Sequence, residues 1–348
     1  MKAARVVLRL VPAVVVLVAF SRGAVGQEPL LPTLPRLDAL KLHAVETGVP
    51  VRHSASVSPD VARAIGKHVA ACRELPGTAA PPPAVVLAML DAADWKRVTN
   101  RPYGMPHHGT ADSPYVVVVP QSWRDVAPML AGVRTRLATA LGEQGVDRYV
   151  HLIAMHEVGH LLSYASLGTN LAAMQTRFPF WYREFLANYF ADGCLAAQPD
   201  ARAFRRRGSE ALLSIPRQRF TALHESDRLL TEVDAAGPYV VTEAGGLNFA
   251  RYQGLTGVMA ARLRDAGLET ERLLGILRQQ WARPGRQETD VLLKDFDGIA
   301  PGWRPWLGEQ GAIAPAAAGR RRYSTSALED AEPTSKAAAW HAIVARRQ

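Results

Sequence analysis

Two cysteines in 348 residues, Cys72 and Cys194, are too few for a disulfide scaffold or a four-cysteine zinc site, so any fold must stand on an apolar core. Whether the two pair with each other the sequence leaves open. Aromatic residues are scarce, at 7%, and no basic stripe is interleaved with them. The formal charge of +9 is also unevenly placed. Four positive charges fall in the first 26 residues and a net three beyond residue 312, which leaves the segment between at only +2. A nucleic-acid partner is therefore not expected. Long hydrophobic runs are missing as well. The most apolar stretch, Leu10 to Phe20, has eleven residues, too few to span a bilayer.

That stretch has another reading. Lys2, Arg5 and Arg9 precede it and the small residues Ala24-Val25-Gly26 follow it, which is the pattern of an export signal over residues 1–26. The expectation is an exported chain, periplasmic or extracellular, with no stable membrane span after cleavage. Residues 27–80 read as a linker followed by a helix that starts after Ser58 with Pro59 at its first position. Residues 81–312 read as one domain. Its sheet part, 81–120, carries apolar runs at Ala84–Leu90 and Tyr115–Val119, and its helical part, 121–312, carries helices over 124–142, 147–167, 179–198, 217–233, 248–266 and 270–282. Asp147 is the expected N-cap of the second of these. The alanine-rich tail, 313–348, reads as disordered. The fold class is α+β, a small sheet followed by a mainly helical half.

The helix over 147–167 contains His156-Glu157-Val158-Gly159-His160. A four-residue step turns about 400° around a helix, so both imidazoles project from one face and can share a metal ion, with Glu157 beside them as a base for water. Leu152, Ile153, Leu161 and Leu162 surround the motif. Such a helix is buried, and buried polar side chains without a joint purpose are costly. A hydrolytic zinc site needs a third protein ligand. Ser163 and Ser166 occupy the places where a glycine and a third histidine would extend the motif, which excludes that class. On the next helix Glu184, Asn188 and Asp192 recur every four residues along one face of an otherwise apolar stretch. By spacing, Glu184 and Asp192 both remain candidates, but they lie about 12 Å apart along the axis and cannot reach one ion together.

With these motifs the chain resembles the gluzincin metallopeptidases, over roughly residues 84–200, and among them exported gluzincin-like proteins with an EFLANYFA-type second motif. The resemblance implies Zn²⁺ held by His156, His160 and Glu184, with Glu157 as general base and Asn188 as hydrogen-bond partner of a ligand histidine. It implies peptide or protein substrates and hydrolysis by a metal-activated water. Tyr252 would be the phenolic donor to the developing oxyanion. Tyr115–Val119 would be an edge strand against which an extended peptide pairs. The interval between His160 and Glu184 is longer than in well-known members, so a looped insertion near Gly168–Pro179 is expected. His107 and His108, in a loop, and His224, on a later helix, are expected at the surface. Two other readings use the same residues: a zinc hydrolase of a non-peptide amide, and a catalytically inactive binding or scaffold protein, against which the intact Glu157 argues.

Overall fold

The computed structural model describes residues 30–75, 83–109, 114–216 and 243–313. The expected export signal, the helix over 217–233 with His224, and the tail from residue 314 lie outside the described residues. Within them the α+β class is what the structure has: one small mixed sheet and a larger body of helices, the first four being α1 Leu34–Asp38, α2 Pro59–Ala71, α3 Ala92–Val98 and α4 Ala131–Leu141.

The sheet has five strands in the order β1-β2-β3-β5-β4: β1 His43–Glu46, β2 Pro50–His53, β3 Val85–Leu90, β4 His107–His108 and β5 Tyr115–Pro120. β2, β3 and β5 run parallel, and β1 and β4 close the edges antiparallel. Parallel strands must be covered on both faces, and the valine-rich β3 and β5 supply apolar side chains in both directions. Leu87, Met89, Val117 and Val119 join the main core with the helices, while Val86, Ala88, Val116 and Val118 pack on the other face against Leu37, Trp95 and Val98.

Three expectations are corrected here. The sheet is not confined to 81–120, because β1 and β2, from the segment read as linker and helix, complete it; these four-residue strands are too short and too polar to announce themselves. Tyr115–Val119 is not an edge strand either: β4 pairs with it and takes the edge. Finally, the helix expected over 147–167 is two, α5 Glu143–Leu152 and α6 Ala154–Ser166, divided at Ile153. Gly142, at φ +76°, ends the helix Ala131–Leu141 and opens α5. Asp147 thus sits inside α5, where its carboxylate accepts from the Trp123 backbone N–H at 2.7 Å and from the Ser122 hydroxyl, tying down the chain that leaves β5.

The interval between Gly168 and Pro179 is not a plain loop but a short helix, α7 Leu171–Arg177, capped by the Asn170 side chain and anchored by buried Met174. It leads into α8, Phe180–Cys194, which is buried at all but its first residue. α6 and α10 Glu243–Asp265 both pack along α8, and α9 Pro199–Leu213 packs along α10. Cys72, just after the helix Pro59–Ala71, is joined by a disulfide to Cys194 at the end of α8. The question the sequence left open is thereby answered.

Candidate metal centre

Gly159 explains how α6 and α8 come close enough to build a site. A Cβ on it would stand 2.9 Å from the carbonyl carbon and 3.0 Å from the Cα of Ala187, closer than packed carbons approach. The glycine within the HExxH pattern is thus the point where the two backbones touch, one turn from Glu184 on α8.

This contact brings three side chains from two helices together. His156 Nε2 lies 3.0 Å from one Glu184 carboxylate oxygen, and His160 Nε2 lies 3.5 Å from the other. All three residues are buried, and one ligand atom from each lies within 4.8 Å of the others, so the group can hold a metal ion. The spacing fits: ligand bonds of about 2.0–2.2 Å in a tetrahedron hold neighbouring ligand atoms about 3.4 Å apart. Asp192, the other candidate by spacing, is taken elsewhere. Arg202 and Arg206 grip its carboxylate with four hydrogen bonds between 2.6 and 2.9 Å.

Behind these residues the hydrogen bonds are directional. The His156 Nδ1–H donates to the Asn188 amide oxygen at 3.2 Å, which turns Nε2 toward Glu184. Asn188 is itself fixed: Arg205 donates to the same oxygen, and its NH₂ donates to the Thr256 hydroxyl at 2.9 Å. The Gln253 NH₂ donates to Glu184 at 2.7 Å. The Nδ1 of His160 has no hydrogen-bond partner among the described residues. Burial pulls the His156 imidazole down, but the hydrogen bond and charge of Glu184 outweigh it and raise its pKa. Burial likewise opposes ionisation of Glu184, yet the two imidazoles hold it well below the usual carboxylate range. Glu157, desolvated and near the Glu184 charge, is pushed up to about 7, although the His156 charge and the His108 backbone pull it down.

The site opens on a cavity of about 530 Å³. His156, Glu157, His160 and Glu184 line it, with Tyr164 from α6, Gln175 from α7 and Gln253 from α10. Tyr252 does not line it. Its side chain is fully buried in the core, stacked on Phe180 at 5.7 Å with Phe249 on its flank. The helical register of α10 gives the cavity Gln253 instead, so the assignment of Tyr252 as oxyanion donor is corrected.

His107 and His108 are corrected too. Both are buried residues of the edge strand, not surface loop residues. His107 is structural: its Nδ1–H donates to the Met105 carbonyl, and the Thr99 hydroxyl lies 3.0 Å from Nε2. His108 belongs to the cavity wall. Its Nδ1–H donates to the Gly109 carbonyl at 2.8 Å, its ring lies 5.6 Å from that of His160, and burial drives its pKa down to about 3, so it is neutral. The neutral ring offers Nε2 to the Tyr164 hydroxyl at 3.5 Å. The sequence signal that marked these two histidines was only their adjacency, and the segment before them lacks strand patterning. For Gln253, Thr256 and Arg205 it held no signal, since each is an ordinary polar residue on a helix.

Comparison with protein-family models, with curated proteins and with solved structures gives no match, so the site is read from its own geometry.

Proposed function

We propose that the chain is an exported zinc-dependent peptidase of gluzincin type, with His156, His160 and Glu184 as metal ligands and Glu157 as general base. The observation that carries the reading is the convergence of two histidines from α6 and a glutamate from α8 beside a second carboxylate, Glu157, on one cavity. Two imidazole nitrogens and one carboxylate are the donor set of a hydrolytic zinc site, and one position is left for a reactant. Bound there, zinc supplies Lewis-acid polarisation of a carbonyl and lowers the pKa of water.

The chain's own residues supply the rest. Glu157, on the helical step between the two ligand histidines, takes the proton of the attacking water and returns it to the leaving amine. A carboxylate raised toward neutrality by burial suits both halves of that transfer. Asn188 fixes the tautomer and orientation of His156, and Gln253 orients Glu184. The ligand residues are buried between helices and the edge strand β4, and their removal from water strengthens these electrostatic interactions. The export reading gains support from the Cys72–Cys194 disulfide, a bond that persists in oxidising compartments. No helix among the described residues is long and apolar enough to cross a membrane.

Metal analysis after mild purification, together with a panel of unstructured peptides and chelator controls, tests the proposal. One zinc per chain and chelator-sensitive cleavage are expected. Glu157→Gln should keep the fold and the metal and lose roughly 10²–10⁴-fold in cleavage rate, because an amide cannot accept the proton. A folded chain that takes up no zinc refutes the metal assignment. One that binds zinc and cleaves no peptide leaves the amide-hydrolase or binding-protein reading.

A further inference from the structure

Arg183, the residue before the third candidate ligand, is placed where a cation is expensive. It is only 9% exposed, and its guanidinium stands 5.1 Å over the Phe180 ring. Its Nε–H is buried with no hydrogen-bond partner, and it makes no ion pair among the described residues. Buried Arg205 and part-buried Arg264 differ. Arg205 is spent on Asn188, and Arg264 on the Tyr189 carbonyl beside Asp192. A guanidinium largely taken out of water, with its Nε–H enclosed and its terminal nitrogens left to the cavity without a counter-charge, is retained only against a purpose, because substitution by an apolar residue relieves the cost.

Arg183 also faces the right space. It lines the same cavity as the His156, His160 and Glu184 group, and its charge acts on His160 and Tyr164. A second arginine, Arg101, lines that cavity from the side of the edge strand and has no carboxylate partner among the described residues. Against these stand two carboxylates. Glu184 is committed to the histidines, and Glu157 is the other. With a divalent ion in place the cavity has a net positive charge, and its vacant hydrogen-bond donors belong to a planar fork suited to a carboxylate.

We infer that Arg183 is the receptor for a carboxylate carried by the substrate, either the free C-terminus of a peptide or an Asp or Glu side chain. The inference rests on the peptidase reading for its substrate and deepens it: an anionic group anchored beside the metal fixes which peptide bond lies over Glu157. Uptake of the carboxylate gives the guanidinium the counter-charge it lacks and so offsets the cost of placing it there. Arg183 acts on binding, not on the bond-breaking step, so it is a specificity residue.

The test uses randomised acetylated hexapeptides in three pools: free C-terminus without Asp or Glu, amidated C-terminus without Asp or Glu, and amidated C-terminus with one Asp or Glu. Retention by the Glu157→Gln protein in ultrafiltration, read by mass spectrometry, reports binding without hydrolysis. One carboxylate-bearing pool should be retained at least about tenfold better than the uncharged amide pool, and the pool that wins identifies the source. In Arg183→Leu the preference should disappear, and in Arg183→Lys part of it should return, while zinc affinity stays within about threefold of the parent. Cleavage of the same pools by the wild-type chain should show the preference in KM, with kcat little changed. Equal retention of all three pools by the parent protein, or none, overturns the inference whatever the variants do. Failure to hydrolyse any pool would strike at the peptidase reading alone, since retention is measured on a protein that cannot turn over.

Discussion

Gly159→Ala is the smallest change that should open the metal centre. The added methyl would lie 2.9 Å from the carbonyl carbon and 3.0 Å from the Cα of Ala187, where carbon atoms settle at about 3.5–4.0 Å. The obstacle is backbone, not a side chain that can rotate away, so α6 and α8 must separate by roughly 0.5–1 Å to relieve it. Overpacking of this kind costs about 1–3 kcal/mol. The displacement falls one turn from Glu184, whose oxygens lie 3.0 and 3.5 Å from the two imidazoles. Metal sites tolerate deviations of about 0.2 Å in ligand distance, so a shift several times larger should weaken zinc binding by about 100-fold or more. Competition titration against a chromogenic chelator measures the affinity, and thermal unfolding with and without metal measures the stability. Gly275→Ala, in the helix Thr270–Ala282, is the control. A Cβ there meets nothing within 4 Å, and the exchange should be neutral or stabilise by up to about 1 kcal/mol. Wild-type zinc affinity in Gly159→Ala would refute the argument that helix contact sets the ligand geometry.

Three further outcomes are expected. Zinc affinity should collapse in Glu184→Ala, fall about 10–100-fold in Asn188→Ala and Gln253→Ala, and hold in Asp192→Ala; loss of metal in the last with retention in the first would reverse the ligand assignment. Asp192→Asn should destabilise the fold by about 3 kcal/mol at neutral pH, the low end for a buried pair losing one partner, because the two arginines are about a quarter exposed. Burial alone would raise the Asp192 pKa, but Arg206 and Arg202 lower it, so its contribution is present above the unfolded-state value near 3.9 and is lost as pH falls through the folded one. Urea midpoints at neutral and strongly acidic pH should therefore converge between wild type and Asp192→Asn, and a constant gap would contradict the assignment. The Cys72–Cys194 bond closes a loop with a sequence separation of 122, so its reduction should cost roughly 4–5 kcal/mol by chain entropy; an unchanged melting temperature under reductant would count against that contribution.

What depends on short-range periodicity is legible in the chain alone. The four-residue step from His156 to His160 dictates a shared helix face, and so does the step from Glu184 to Asn188. Valine-rich β3 and β5 announce buried strands, and Pro59 and Pro179 sit where helices start. Which of two equally spaced carboxylates joins the histidines is set by packing, because it depends on where α8 meets α6 and on the arginines of α9 that hold Asp192. The same holds for Tyr252 and Gln253, adjacent in the chain but a helical step of about 100° apart, so that one enters the core and the other the cavity. β1, β2 and β4 were illegible for a related reason. Strands of two to four residues have no room to display a period; β2 and β4 exist because β3 and β5 offer them edges to pair with, and β1 pairs in turn with β2. Arg183 shows the same limit from the side of charge: in the sequence it is one of 41 basic residues, and only the packing around it leaves it largely buried, without a counter-charge among the described residues, and on the cavity wall.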